Sequence, residues 1–268
     1  MPKLEKSGSG YMKITILLIS ALMILAWSLV AYGEIDKTMV LALSFDDISG
    51  NVTADSSLYG LNGKVNGPKL GVGKYGKALE FNGTTDFVLV DDNPNLLLLN
   101  GGTFMVWAFI KTTSGNASWP RIMIKSNTNG GTNGYDFLFD RALSYSVRFC
   151  IGGVCNSFNP VATDSWHHVS VTFDGKEILV YVDGEKAGNI AQSVAAIDTK
   201  GSPLNIGNGI AADRAYQGLL DEVRIWNRAL KQDEIKFQMA RGTRDIIAIE
   251  PRLKLVGTWS AIKSDHVQ

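Results

Sequence analysis

The chain has 268 residues, 26 of them basic and 26 acidic, with 28 glycines, 7 prolines and 2 cysteines. Balanced charge leaves no electrostatic footprint for a phosphate backbone, so nucleic acid is not an expected partner, and an apolar share of 45% is too high for intrinsic disorder. The length suits one large domain or two small ones, with surface enough to bury a core.

Apolar residues concentrate first at the N-terminus. Residues 14–32 carry no charge, Lys13 precedes them, and Ala31 and Gly33 place small residues three and one positions before Glu34. A basic start, an apolar stretch and a small-residue exit form the layout of a secretory signal, with Met12 as a plausible start. A run of about 20 apolar residues can also just cross a bilayer. Residues 1–33 are therefore expected to be a cleaved signal or an uncleaved anchor, the only membrane contact. Either way the rest is expected to be exported, secreted or in the cell envelope. It holds 23 basic and 25 acidic groups, a formal charge of −2.

Downstream, short apolar or alternating runs end at Gly, Asn or Asp, the pattern of strands and turns. Strands are expected at 40–45, 78–81, 87–90, 103–110, 135–139, 145–151, 166–173, 178–182, 204–206 and 219–226. Weaker runs bring the total to about a dozen. Asp174-Gly175 joins the strand at 166 to the one at 178, and Asp183-Gly184 ends the latter, so both turns carry the positive-φ glycine of tight hairpins. Residues 230–241 alone read as a helix. Ile235 and Met239 lie one turn apart, Asp233 and Glu234 open it, Arg241 closes it, and Gly242 follows as a C-cap. Many short strands with one terminal helix predict an all-β antiparallel sandwich or jelly roll, which commonly fills about 200 to 250 residues as one domain. Residues 34–249 are taken as that domain. The tail 250–268 contains Pro251 and no clear period, and is either a docked strand or a tether.

Side-chain direction sharpens two strands. In 103–111 both faces are apolar, Met105, Trp107 and Phe109 on one and Phe104, Val106, Ala108 and Ile110 on the other, as in a central strand. In 219–226 strict alternation puts Leu219, Asp221, Val223 and Ile225 on the apolar face, with Leu220, Glu222, Arg224 and Trp226 opposite. Asp221 interrupts that row. A carboxylate there needs a cation, an Arg or Lys, or backbone N–H groups, so it is expected either to bond a neighbouring turn or to bind calcium.

Cys150 and Cys155 flank Gly152-Gly153, a two-residue hairpin turn that sets the cysteines opposite each other at a non-hydrogen-bonded position. There Cα atoms approach to about 4.5 Å, within disulfide range. In an oxidising compartment a bond is expected; the alternative is two free thiols at a hairpin tip. A metal site is disfavoured, because no second Cys or His pair accompanies them.

Catalytic signatures are sparse. His167 and His168 are adjacent in a strand and point to opposite faces, and no phosphate loop, zinc-protease pair or nucleophile elbow occurs. Sandwich-fold glycosidases need two suitably spaced carboxylates, and none of the expected strands carries acidic residues two apart. The protein is not expected to be an enzyme.

A family resemblance rests on Leu43-Ser-Phe-Asp-Asp47, Asp55-Ser-Ser-Leu-Tyr-Gly-Leu-Asn-Gly63, Gly76-Lys-Ala-Leu-Glu-Phe-Asn-Gly83, Trp166-His-His-Val169, Tyr181-Val-Asp-Gly184 and the stretch from Gly218 to Leu230. Together, over about 39–242, these resemble the LamG-like, concanavalin A-like lectin/glucanase jelly rolls. The resemblance implies a two-sheet jelly roll, usually non-catalytic, serving as a binding or adhesion module in exported proteins, with calcium, often structural, in many members. That family commonly has Ser at the helix start, where Lys231 stands here, so the N-cap side-chain bond should be missing.

Carbohydrate binding needs an exposed aromatic platform with polar neighbours. Trp119 is the best loop candidate, Tyr135 and Tyr216 are weaker, and each is open to the alternative of ordinary packing. Calcium candidates are Asp46, Asp47 and Asp221, oxygen ligands gathered from separated segments, while Asp91-Asp92-Asn93 reads as a turn. The expected function is a binding module for a glycan or glycosylated partner. Alternatives are a structural or adhesion module contacting an extracellular or envelope protein, and a divergent glycan-active enzyme with two carboxylates about 5 to 10 Å apart in a cleft.

Overall fold

The computed structural model describes residues 36–98, 100–112, 117–191, 199, 201–209 and 214–246. The expected signal or anchor and the tail lie outside the described residues. Among the described residues no helix is long and apolar enough to cross a membrane.

Among the described residues sixteen strands form: β1 (Met39–Ser49), β2 (Val52–Asp55), β3 (Gly63–Asn66), β4 (Lys69–Val72), β5 (Lys77–Asn82), β6 (Phe87–Val90), β7 (Gly102–Ile110), β8 (Arg121–Lys125), β9 (Tyr135–Asp140), β10 (Ser146–Ile151), β11 (Val154–Pro160), β12 (Trp166–Phe173), β13 (Glu177–Val182), β14 (Glu185–Ala191), β15 (Leu204–Ile206) and β16 (Gln217–Trp226). A helix, α1 (Gln232–Met239), follows. The antiparallel ladder runs β11-β10-β9-β8-β15-β6-β3-β2-β1-β16-β7-β12-β13-β14, with β5 on β16 and β4 on β5.

Every expected run forms a strand. Alternation then decides the core: Phe104, Val106, Ala108 and Ile110 of β7, with Val169 and Val171 of β12, pack against Phe137 and Phe139 of β9 and Val147 and Phe149 of β10. The Phe104 ring lies 4.8 Å from Tyr135 and 5.2 Å from Phe149. The Asp183-Gly184 turn has both residues at positive φ, 51° and 77°, which matches the right-handed twist of the strands it joins.

The β16 row departs from strict alternation. Glu222 takes φ 54° and the register against β7 shifts between Asp221 and Arg224. This bulge moves the phase by one residue. Leu220 faces the core before it and Val223 and Ile225 after it, whereas Asp221 sits opposite Trp107 on the outer face. Asp221 is therefore buried, but not on the core row.

On that outer face Trp226, Met39 and Met105 form a second apolar cluster with Ile235 of α1. The helix begins at Lys231 with no side-chain cap bond, as expected; the reciprocal contact is made instead by Lys231 N, which donates to Glu234 Oε2 at 2.8 Å. Gly242 is not the C-cap. The helix closes at Ala240, with φ −74°, and Arg224 donates to Gln238 O at 2.9 Å and Arg241 O at 2.7 Å. Those terminal carbonyls are satisfied by a side chain, so no left-handed glycine is required. Gly242 is buried where a Cβ would lie 3.2 Å from both Glu222 and Tyr75.

Candidate functional site

The outer face of β8 to β11 carries the most developed polar arrangement around an exposed aromatic ring. Along β9, Tyr135, Phe137 and Phe139 enter the core, which turns Asp136, Leu138 and Asp140 outward. Asp136 is buried, and its Oδ2 accepts from Arg121 Nη2 at 2.7 Å and from Gly130 N at 3.1 Å. Its Oδ1 has no hydrogen-bond partner among the described residues. Burial pushes its pKa up, while Arg121, the Gly130 N–H and Arg214 pull it back.

Arg121 also donates from Nη1 to Trp119 O at 2.9 Å. Backbone bonds from Phe139 N to Pro120 O (3.0 Å) and from Arg141 N to Ser118 O (3.1 Å) hold the same segment against β9. Trp119 is 37% exposed, with the Arg214 guanidinium 4.2 Å above its ring centroid. Gly209 lets the two arginine stems lie side by side, because a Cβ there would come 2.6 Å from Arg214 Cβ and 3.6 Å from Arg121 Cδ. A fixed indole with a cation on its face and charged groups beside it offers an apolar surface with convergent polar groups, the general makeup of a ligand site.

Trp119 is exposed, as an aromatic platform would require. Tyr135 and Tyr216 are not: both are fully buried in the core, with hydroxyls donating to Leu96 O at 3.2 Å and Leu219 O at 3.4 Å. Their aromatic faces pack against other rings, which corrects the expectation that they flank a ligand. Trp107 and Trp226 are buried sheet-face residues. The disulfide is formed between Cys150 and Cys155, Cα atoms 4.0 Å apart, across a turn with Gly152 and Gly153 at φ 58° and 82°.

The calcium candidates do not fit a shared ion. Asp46 Oδ1 accepts from Lys77 N at 2.8 Å, its Oδ2 lies 3.2 Å from Arg244 Nε, and Asp47 is turned outward onto the same guanidinium. Asp221 Oδ2 accepts from Tyr75 N at 3.0 Å, and its Oδ1 has no hydrogen-bond partner among the described residues. Burial, with Glu222 and Asp46 nearby, pushes its pKa up to about 8. A guanidinium stands beside Asp46 and Asp47, and among the described residues no group of three or more His, Cys, Asp or Glu side chains is placed to hold a metal. Asp221 instead docks a turn, the first of the two expected alternatives.

Glu222 accepts from Thr243 N at 3.0 Å and from Arg224 Nη2 at 2.6 Å, so this acid is also committed to structure. His168 is buried edge-on to Trp107, ring centroids 5.3 Å apart. His167 links Ser165 Oγ (2.9 Å) to Asp183 Oδ2 (2.8 Å). The order is that of an acyl-transfer relay, but Asp183 Oδ1 accepts His168 N at 2.9 Å and Asp183 itself forms the β13–β14 turn. The trio fastens that turn to β12.

A family model described as the concanavalin A-like lectin/glucanases superfamily matches residues 82–236, more than half of the chain. The chain belongs to this superfamily. Pappalysin-1 of Mus musculus is 28% identical over 102 residues, which span 37% of this chain and only 6% of that protein. Among solved structures, the binding domain of Paraclostridial Mosquitocidal Protein 1 superposes with a TM-score of 0.60 at 14% identity, covering 76% of this chain and 52% of that one. Domain 4 of AbnA, an extracellular arabinanase from Geobacillus stearothermophilus solved with arabinotriose, gives 0.58 at 17% identity, covering 75% and 98%. A botulinum neurotoxin type C structure, described as dependent on two ganglioside molecules for cell entry, gives 0.58 at 14%, covering 79% and 52%. At these identities the likeness is one of fold alone.

Proposed function

We propose that the chain is an exported, non-catalytic binding module whose Trp119 face takes a glycan or glycosylated partner. The observation that carries this reading is the half-open indole, clamped by Arg214 and held through its carbonyl by the buried Arg121–Asp136 pair. Sugars present C–H faces to an aromatic ring and hydroxyls to charged neighbours, and the exposed part of the Trp119 indole and the Arg214 guanidinium offer one of each. The arabinotriose bound by the AbnA domain and the dependence of the toxin's cell entry on two ganglioside molecules lend support. Export rests on the signal-like segment 1–33.

The test is retardation of the full chain, in mild detergent, on native gels containing a panel of polysaccharides. One polymer should retard it, and Trp119→Ala should remove the effect. Retardation that survives Trp119→Ala would move the site elsewhere. A protein-contact module is the second reading, favoured by β4, an edge strand on β5 with Leu70 and Val72 exposed, Val72 by 84%. Failure of every polymer to retard the chain would favour it.

A further inference from the structure

The geometry points to Asp136 and Arg121 as positioning residues that tie Trp119 to the Cys150–Cys155 bond, making the disulfide a brace for the ligand face. This rests on the binding role proposed for Trp119. The chain of contacts is continuous. At the tip of the β10–β11 hairpin, Gly152 N donates to Gly134 O at 3.0 Å and Gly153 N to Gly131 O at 3.1 Å. Cys155 Sγ lies 3.7 Å from Gly130 O, so the hairpin clasps the 126–134 loop at three points. Gly130 N then donates to Asp136 Oδ2, Asp136 holds Arg121, and Arg121 holds the Trp119 carbonyl. Cys150 is itself the register partner of Asp136, which places the bond beside that carboxylate on the same face.

A small disulfide loop adds little to global stability, and β11 is an edge strand, whose unpaired side leaves it free to fray. The covalent link therefore acts locally. Without it the hairpin tip frays, the loop loses its clasp, and the orientation of Asp136 and Arg121 is no longer fixed.

The test uses the full chain labelled with 15N-tryptophan, whose six indole resonances are followed with the disulfide oxidised and after reduction, Trp119 being assigned by Trp119→Phe. Reduction should shift or broaden the Trp119 resonance and leave Trp107 and Trp226 in place. Cys150→Ser with Cys155→Ser should reproduce this, as should Asp136→Asn or Arg121→Ala with the disulfide intact, while Arg121→Lys, which keeps the cation, should move the resonance less than Arg121→Ala. A Trp119 resonance unmoved by reduction overturns the brace, and so does simultaneous collapse of all the indole signals, which would make the bond a global staple. If Asp136→Asn does not fold, the reduced wild-type chain decides. Polysaccharide affinity should fall about tenfold on reduction, roughly 1.4 kcal/mol. Equal retardation of the oxidised and reduced chains overturns the role in binding. Movement of Trp119 in a chain that no polysaccharide retards would refute the glycan reading and leave the brace standing.

Discussion

His168 shows how one buried side chain writes a pH dependence into the whole protein. Burial, reinforced by Arg224, pushes its pKa down to about 3, against about 6.5 in an unfolded chain. The unfolded state therefore takes up a proton that the folded state refuses. The stability at stake is fully present above pH 6.5 and is lost as pH falls toward 3, by up to about 1.4 kcal/mol per pH unit. Asp221 acts in the opposite sense. Its pKa is raised to about 8, so the folded state keeps a proton that the unfolded state releases, and stability declines as pH rises from about 4 to 8. Between pH 4 and 6.5 the two slopes offset each other. Urea denaturation across this range should show a steeper fall with rising pH in His168→Gln than in wild type, and a steeper rise in Asp221→Asn. Parallel curves for all three proteins would mean that neither group titrates as described. Arg244 leads to a separate expectation, since its guanidinium already faces Asp46 and Asp47: chelator should leave the melting temperature unchanged. A drop restored by calcium would show that a metal displaces the arginine.

Among the elements, α1 depends on a strand residue for its C-terminal end. Arg224 reaches Gln238 O, Arg241 O and Thr243 Oγ1 while paired to buried Glu222. Arg224→Met should cost about 3 to 5 kcal/mol, because it leaves an uncompensated buried carboxylate, and amide exchange should accelerate first across residues 232–243. Joint replacement by Glu222→Gln and Arg224→Met should cost less than the single change, and an equal or larger loss would place the strain elsewhere. The sequence motif from Gly218 to Leu230 was readable as a strand, but its Arg and Glu had no visible purpose there. Their role depends on the bulge at Glu222, and no local signal marks a non-glycine residue at positive φ. The same limit hid β8, where Arg121 and Lys125 bracket three apolar residues and look like loop ends. Both charges are buried, paired to Asp136 and Asp92, and neither acid lies near its partner in sequence. Of the candidate site only Trp119 was legible, as an aromatic residue in a loop; Asp136 and Arg121 carried no local signal, because they are paired across two strands. Tyr135 misled because a strand's first residue can point inward as easily as out.

For the molecule as a whole, the disposition of the two terminal strands of the ladder remained outside sequence reach. β11 and β14 are 25 residues apart at their nearest ends and each reads as a polar, weakly alternating edge. In the structure they approach each other, and an ideal Cβ on Gly188 would lie 2.8 Å from the Phe158 ring. Phe158 is only partly buried, yet it packs on the main core together with Ala187 and Ile190. The ring thus covers a seam at which two rows of unpaired backbone groups would otherwise face water or another chain. Removing it should loosen both edges at once, since neither has a further strand to lean on. Phe158→Ala should cost roughly 2 kcal/mol, less than a fully buried Phe, and raise amide exchange in β11 and β14 together. Gly188→Val should do the same from the opposite side by displacing the ring. Faster exchange confined to β11 in Phe158→Ala would show that β14 is held by β13 alone and that the seam carries no load. Opened edges also invite strand pairing between molecules, so the Phe158→Ala protein should form concentration-dependent dimers in sedimentation velocity runs where wild type does not.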